Sequence, residues 1–265
     1  MSLGIVIKAA EGVVLAAESR VTFFFGGSPL TFDTVTKLFT FQHPHNYVGV
    51  VTFGAATMGE RTAQSLMPEF EASLGNARLK VAEYASRLSD FFSGQHSSWV
   101  SELQKAGGQV PPDHPDMHFV LGGFDEGEPY GTMFSFAIPN DPTPKEFANE
   151  KTCGIRWGGQ RDVVDRLLLG YDPELLPIIQ RSLSLTDAQI RQVRKELEVL
   201  QKVIPFEIFG LQDAIDVAVM FIRTTIESQR LTIDLRGCGG PIEVGVITRT
   251  GGFSYVQRKA LRGET

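Results

Sequence analysis

Two almost continuous apolar segments near the start of the chain, Leu3–Ala9 and Gly12–Ala17, restrict the fold more than any other feature. Both contain β-branched residues, and the short segment Ala10–Gly12 favours a tight turn between them. A strand that is apolar at every position, rather than at every second one, is expected to be buried on both faces. The sequence therefore predicts that a β-hairpin in the interior of a layered domain opens the chain.

The order of the later segments predicts an α+β protein. Strand character returns at Val35–Phe41 and Tyr47–Phe53, and apolar residues at helical spacing then predict helices at Thr57–Leu74 and Leu79–Leu103. Gly and Pro predict loops after Phe23–Phe25 and at Pro139–Pro144. The other predicted elements are strands at Met117–Gly123, Thr132–Ile138, Thr152–Arg156, Pro241–Thr248 and Phe253–Gln257, and helices at Gln160–Leu169, Ala188–Val203 and Leu211–Gln229. This order is typical of two sheets packed between helical layers.

Composition excludes several classes of function. The chain has 265 residues, of which 42% are hydrophobic and 21% charged, so it has enough apolar mass for a core. The net charge is −6 and no Lys/Arg-rich segment is present, so we do not expect a nucleic-acid partner. No apolar segment is long enough for a membrane span and no signal peptide is evident, which predicts a cytoplasmic protein without a membrane partner. Cys153, Cys238 and the five histidines lack metal-site spacing, so neither metal nor cofactor is expected.

Four segments, in order, resemble proteasome-type subunits. Gly4–Thr22 (GIVIKAAEGVVLAAESRVT) resembles their opening hairpin, and Val35–Phe41 (VTKLFTF) resembles the next strand with its lysine. Leu121–Phe136 is similar to their central strand pair, and Gly239–Gly252 to their closing hairpin. The resemblance covers nearly the whole chain and includes 20S proteasome β-like subunits and the bacterial Anbu family. It implies the four-layer αββα sandwich of N-terminal-nucleophile (Ntn) hydrolases, formed by a single domain over residues 1–265.

The resemblance also implies a catalytic centre. In active members the first residue supplies a hydroxyl nucleophile, and its free α-amine acts as general base. Ser2 takes this place if Met1 is removed, and an amine that titrates near 8 is partly neutral at cytoplasmic pH. Lys37 would lower the barrier to deprotonation and Glu18 would orient Lys37. The residues themselves support that pair, because a lysine in an apolar segment and a carboxylate at the end of a buried strand are costly unless they are paired.

Simpler interpretations of the same residues stay open. Ser2 is also consistent with an ordinary strand start, or with a Met-Ser-Leu leader that hides the natural terminus. Lys37 could extend its amine to the surface, and Glu18 could be exposed at its strand end.

The remaining candidates surround this centre. A backbone N–H of Gly158 or Gly159 is the expected oxyanion donor, although Trp157–Gln160 (WGGQ) stands where active members carry Gly-Ser-Gly-Ser. Asp234 lies near the family's supporting aspartate, one residue further from the closing glycines than expected, and Cys238 replaces a second supporting serine. The residues expected to line the substrate cleft are Arg20, Thr22 and Gly54.

The implied function is peptide-bond cleavage by Ser2, through an acyl ester, inside a self-compartmentalised, ring-like homo-oligomer that takes unfolded or peptide substrates. An unfoldase partner is a further expectation from the family. Two alternatives stay open: an inactive scaffold subunit, favoured by the missing serine near Gly158, and a non-peptidase Ntn amidohydrolase. A helical elaboration at about 172–205 is expected to form a lateral contact or an outer decoration, or simply a solvated charged helix.

Overall fold

Two five-stranded antiparallel sheets form the centre of the structure, a computed structural model that describes residues 2–25, 27–147, 152–233, 235–260 and 263. Sheet I consists, in spatial order, of β12 (Gly154–Gly159), β1 (Leu3–Lys8), β2 (Val13–Glu18), β13 (Ile242–Thr248) and β14 (Gly252–Gln257). Sheet II consists of β11 (Asp141–Phe147), β10 (Thr132–Ile138), β9 (Met117–Gly123), β6 (Val48–Gly54) and β5 (Leu38–Thr40). Two small hairpins are formed by β3 (Val21–Phe25) with β4 (Ser28–Phe32) and by β7 (Thr57–Met58) with β8 (Arg61–Thr62).

Helices lie between and after these strands, which confirms the predicted α+β class. The described residues form α1 (Ala63–Ala72), α2 (Val81–Lys105), α3 (Asp162–Leu169), α4 (Leu175–Ser182), α5 (Asp187–Leu197) and α6 (Leu211–Arg230), with single 3₁₀ turns at Glu198–Leu200 and Phe206–Ile208. None of the helices in this part of the chain combines the length and the apolarity that a membrane crossing requires.

The first two strands are buried on both faces, as their continuous apolar sequence predicts. Every residue of β1 and β2 is buried. Along β2, Val14 and Ala16 face the helices of sheet I, whereas Val13, Leu15 and Ala17 face sheet II. The hairpin therefore contributes to two cores at once, and its burial accounts for the absence of polar alternation.

Each sheet also packs against its own helices. On the outer face of sheet II, buried residues of β6, β9 and β10 contact α1 and α2, and Phe70 and Phe92 are fully buried there. On the outer face of sheet I, α3 and α6 cover β1, β2 and β13, with Phe221 and Ile222 at the centre of the contact. A third apolar cluster, which includes Val51 and Val120, lies between the sheets.

One predicted helix start was wrong for a local reason. The helix predicted at Thr57–Leu74 begins only at Ala63, because residues 57–62 form the β7–β8 hairpin with Gly59 at φ +61° in its turn. Thr62 then caps the helix, since its side chain accepts a hydrogen bond from the Ser65 N–H at 3.1 Å.

Two predicted loops were also wrong. Residues 139–144 were expected to form a loop, but β11 runs through Pro142 and Pro144 at the edge of sheet II. An edge strand tolerates proline because one of its sides needs no ladder donor. The loop predicted after Phe23–Phe25 is the β3–β4 hairpin, in which Phe24 pairs with Pro29.

The helical segment near residues 172–205 is more broken than its pattern predicts. Helix α4 lies within the helical elaboration predicted at about 172–205 but was not predicted as a separate helix, and the helix expected at Ala188–Val203 ends at Leu197 before a 3₁₀ turn. Helix α5 begins at a capping box that Thr186 and Gln189 form.

A buried polar contact joins the segment before β6 to α2. His45 Nε2 lies 3.0 Å from the Gly75 carbonyl oxygen, which can only accept, so Nε2 carries the proton. His45 Nδ1 therefore accepts from the Tyr84 hydroxyl at 2.6 Å, and that hydroxyl accepts from the Leu79 N–H at 3.2 Å. Burial raises the pKa of Tyr84, so its hydroxyl keeps the proton that it donates.

Replacement of Tyr84 by Phe tests this contact. Tyr84→Phe leaves the His45 ring nitrogen and the Leu79 N–H without partners in a buried site, so we expect the free energy of unfolding to fall by about 1–3 kcal/mol. Urea denaturation measures the change. Tyr47→Phe is the matched control, because the Tyr47 hydroxyl makes no hydrogen bond within the described residues, and its effect should stay within about 0.5 kcal/mol. Equal effects of the two substitutions would contradict this role of Tyr84.

Candidate active site

The Glu18 carboxylate is the centre of the candidate site. Glu18 ends β2 and is 1% exposed. Its Oε1 accepts from the Leu3 N–H at 3.2 Å and from Lys37 Nζ, and its Oε2 accepts from the N–H groups of Arg20 at 2.7 Å and Gly239 at 3.0 Å. Four donors compensate the loss of water around this charge. The structure thus pairs Glu18 with Lys37 and gives no support to an exposed carboxylate.

Lys37 enters the same site from the segment before β5. It is 6% exposed, and its Nζ donates to the Arg20 carbonyl oxygen as well as to Glu18. Burial lowers the pKa of Lys37, and the nearby positive charge of Lys259 acts in the same direction, while Glu18 opposes both. Lys37 is therefore a buried, fixed cation that releases a proton more easily than an exposed lysine, and it does not extend to the surface.

Ser2 lies beside this pair, immediately before β1. It is 3% exposed, and together with Lys37 it lines a small cavity of about 20 Å³. Its Oγ accepts from the Gly54 N–H at 3.3 Å, and its carbonyl oxygen accepts from the Gln160 N–H at 2.6 Å. Both the backbone and the hydroxyl of Ser2 are thus held.

Gly158 and Gly159, the glycines predicted as oxyanion donors, lie against the first strand and the Ser2 backbone. Gly158 and Gly159 end β12 and pair with Gly4 and Leu3 of β1. Gly159 has φ +94°, and a Cβ there would overlap the Ser2 carbonyl oxygen. The backbone N–H that reaches the Ser2 hydroxyl belongs to Gly54, at the end of β6, a residue that the sequence indicated only as part of the cleft.

Arg20 fastens the loop that precedes β13. Its guanidinium group forms a two-pronged ion pair with Asp33, with N–O distances of 2.6 and 2.7 Å, and also donates to the Arg236 carbonyl oxygen at 3.2 Å. The hydrogen bond from Arg20 lowers the pKa of Asp33. Arg20 lines the small cavity near Ser2 rather than the larger cleft.

A cleft of about 990 Å³ adjoins the small cavity at Phe53 and Gly54. Thr22, Gly158 and Gly159 line it, and the Thr22 Oγ1 is buried without a hydrogen-bond partner among the described residues. Aromatic side chains, among them Phe53 and Trp157, also line the cleft, and a groove of this kind can hold an extended peptide. Asp234, the remaining predicted site residue, lies outside the described residues.

A second buried ion pair behind the site was missed in the sequence. Lys259 follows β14, and its Nζ lies 2.9 Å from the Glu243 carboxylate, with side chains 7% and 3% exposed. The same Nζ donates to the Val35 carbonyl oxygen at 3.0 Å and to Ser19 Oγ at 3.4 Å. The sequence gives only a weak signal for this pair, namely Glu243 as a single charge within the otherwise apolar β13.

This arrangement can perform nucleophilic chemistry. A hydroxyl, a buried lysine and a backbone donor line one small cavity next to a cleft. The hydroxyl can attack a carbonyl carbon, the lysine can stabilise the developing negative charge, and the N–H can donate to the oxyanion. Among the described residues, no cluster of three or more His, Cys, Asp or Glu side chains is arranged to hold a metal ion.

Comparison with known proteins gives the fold. No protein-family model and no curated protein sequence matches the chain. Among solved structures, a Gly-1 mutant of Anbu from Hyphomicrobium sp. strain MC1 matches with a TM-score of 0.56 and 14% identity, covering 98% of this chain and 86% of that chain. Anbu from Pseudomonas aeruginosa, solved as a helical assembly, matches with a TM-score of 0.59 and 17% identity, covering 97% and 88%. The chain therefore has an Anbu-like fold, as the sequence resemblance indicated.

The Arg20–Asp33 pair predicts a pH dependence of stability. Because the pKa of Asp33 is lower in the folded protein than its ordinary value of 3.8, the ionised pair stabilises the fold above that pH. The contribution is lost as the pH falls through the folded-state pKa. We expect the difference in unfolding free energy between the natural protein and Asp33→Asn to shrink as the pH falls below about 4, as measured by urea denaturation. A constant difference between pH 2.5 and 7 would contradict this.

The buried pair Lys259–Glu243 predicts that the free energy of unfolding depends strongly on whether each charge keeps its partner. Lys259→Met leaves the Glu243 carboxylate buried and unpaired, so the free energy of unfolding should fall by about 3–5 kcal/mol. Lys259→Met combined with Glu243→Met removes both charges and should recover much of that loss. The control is Lys145→Met, which breaks an exposed ion pair with Asp141 and should cost less than about 1 kcal/mol. A double variant no more stable than Lys259→Met alone would exclude this explanation.

Proposed function

We propose that this chain is a proteasome-like N-terminal-nucleophile hydrolase that cleaves peptide bonds through Ser2. The observation that carries the proposal is the link between Glu18 and both halves of the site. One carboxylate accepts from the Leu3 N–H, beside the candidate nucleophile, and from Lys37, the candidate electrostatic partner. A buried carboxylate so placed fixes the lysine against the first strand.

The proposed reaction begins after removal of Met1. The free α-amine of Ser2 takes the hydroxyl proton as Oγ attacks the peptide carbonyl carbon, and Lys37 stabilises the oxygen that loses its proton. The Gly54 N–H, 3.3 Å from Ser2 Oγ, donates to the oxyanion of the tetrahedral intermediate. Collapse to an acyl ester releases the amine product, and water then hydrolyses the ester. Gly158 and Gly159 form the cleft wall in this scheme.

The substrate is proposed to bind as an extended segment of an unfolded protein or peptide. The cleft is lined by Thr22 of β3 and by Gly54 at the end of β6. An extended chain that runs between them would bring a peptide carbonyl towards Ser2.

The finer architecture belongs to the same proposal. Helices on the outer faces of both sheets and an apolar cluster between the sheets support a four-layer αββα sandwich of the Ntn-hydrolase type. We propose one domain over residues 1–265, with the helices at about 172–205 as an elaboration. The helical assembly of the Pseudomonas aeruginosa Anbu complex supports a homo-oligomer for this chain. We also propose a ring-like form and an unfoldase partner, which the family resemblance implies, and a cytoplasmic location, which the sequence predicts.

An inactive scaffold subunit is the second candidate. The tight surroundings of Ser2, which is 3% exposed in a cavity of about 20 Å³, favour it. A non-peptidase amidohydrolase would use the same residues, since a fold does not determine the substrate.

The decisive test is the intact mass of the purified protein before and after incubation with a peptide α′,β′-epoxyketone, a reagent that requires a terminal amine and its adjacent hydroxyl. We expect loss of Met1 and one adduct per chain. Ser2→Ala should abolish the adduct, and Lys37→Met should slow labelling about 100-fold or more. Lys195→Met, on exposed α5, is the matched lysine control and should label at the natural rate.

The other outcomes separate the candidates. Loss of Met1 without an adduct favours the scaffold, and a retained Met1 without an adduct contradicts catalysis by Ser2. An adduct without cleavage of any peptide, but with release of ammonia or an amine from small amides, favours the amidohydrolase.

A further inference from the structure

Two loops, rather than strands, complete the hydrogen bonding around Ser2 and Glu18. The turn after β12 supplies the Gln160 N–H, which donates to the Ser2 carbonyl oxygen at 2.6 Å. The loop before β13 supplies the Gly239 N–H, which donates to Glu18 Oε2 at 3.0 Å. The two loops are distant in sequence, so something must hold them in a fixed relation to each other.

A single side chain, that of Gln229 near the end of α6, joins these loops. Its Nε2 donates to Gln160 Oε1 at 3.1 Å, and its Oε1 accepts from the Cys238 N–H at 2.9 Å. Cys238 and Gly239 are consecutive, so one amide group reaches both loops. Gln229 is 7% exposed, and this bridge satisfies both ends of its side chain within the protein.

Helix α6 gives the bridge a rigid base. Phe221, Ile222 and Thr225 are at most 2% exposed where the helix packs on sheet I. A buried amide whose donor and acceptor are both used has few alternative rotamers, because each would leave a polar group without a partner. The helical layer therefore fixes the position of Gln229, and the hydrogen bonds of Gln229 in turn fix the two loops.

We propose that Gln229, acting through Gln160 and Cys238, is a positioning residue that fixes the Ser2 carbonyl and the Glu18 carboxylate relative to each other. It does not touch the reacting atoms. The inference rests on the proposed function only for its effect on rate, because the effect on the two loops follows from the hydrogen bonds alone. The chain thereby couples its outer helix to the nucleophile with no charged group in the connection.

Three variants test this inference. Gln229→Met keeps the length and removes both hydrogen bonds, so epoxyketone labelling should slow at least 10-fold with little change in the reagent concentration at half-saturation. Gln229→Glu keeps an acceptor for the Cys238 N–H, and the Gln160 amide can turn to donate to it, so its rate should stay within about 3-fold of the natural rate. Gln212→Met, an exposed position on the same helix with a local bond to Asp216, is the matched control and should label normally.

Amide hydrogen exchange followed by mass spectrometry supplies a readout that needs no activity. Gln229→Met should raise exchange at least 10-fold at residues 158–162 and 236–241, while residues 211–226 keep their protection. If this pattern occurs but the natural protein never labels, the positioning role stands and the proposed function fails. Unchanged exchange in both loops, or unchanged labelling in a protein that is active, overturns the inference.

If Gln229→Met lost protection from amide exchange throughout the chain, the substitution would have unfolded the protein. The variant Gln160→Met then tests the positioning role. It removes one acceptor on a half-buried side chain and leaves the backbone donor to Ser2 intact. We expect faster exchange at 158–162 with a slower labelling rate. If those residues exchange at the same rate in Gln160→Met as in the wild-type protein, the positioning role is overturned.

Discussion

A single buried negative charge organises the candidate active site of this fold. The Glu18 carboxylate has almost no contact with solvent, and an uncompensated charge there would oppose folding strongly. It is compensated by Leu3 of the first strand, by Arg20 just beyond the second, by Lys37, and by Gly239 near the end of the chain. Since each donor comes from a different segment, satisfying the carboxylate draws those segments to one point, where Ser2 also lies.

The candidate site also requires the two sheets to approach each other closely. The Phe53 ring of sheet II occupies the space that a side chain at Gly158 of sheet I would need, and Val51 and Phe53 together occupy that at Gly4. Absence of side chains at those two positions lets the end of β6 come near enough for the Gly54 N–H to reach the Ser2 hydroxyl. The left-handed backbone of Gly159 then turns the chain so that Gln160 reaches the Ser2 carbonyl oxygen. Backbone geometry, rather than extra polar side chains, places Ser2.

Polar contacts link sheet I and its outer helix to this centre. The buried pair of Lys259 and Glu243 supports Ser19 and Val35, which flank the positions of Glu18 and Lys37 in the chain. On the helical side, Gln229 connects α6 to the loops that hold Ser2 and Glu18. Apolar packing fixes the sheets and helices, and these few directional contacts transmit that rigidity to the site.

The sequence by itself determined the buried hairpin and the α+β order, because both follow from local apolar runs that are visible in short stretches of chain. The pair of Glu18 and Lys37 was implied by the resemblance and favoured by the cost of burying a charge without a partner, but the tertiary structure decided between that pair and two exposed side chains. Tertiary structure alone decided that Pro142 and Pro144 lie in an edge strand, that Gly54 donates to Ser2, and that Gln229 and Lys259 support the site. Those contacts join residues distant in sequence, and whether a backbone N–H, an amide or a lysine finds a partner there depends on how the layers pack. The spacing of residues along the chain does not indicate that packing.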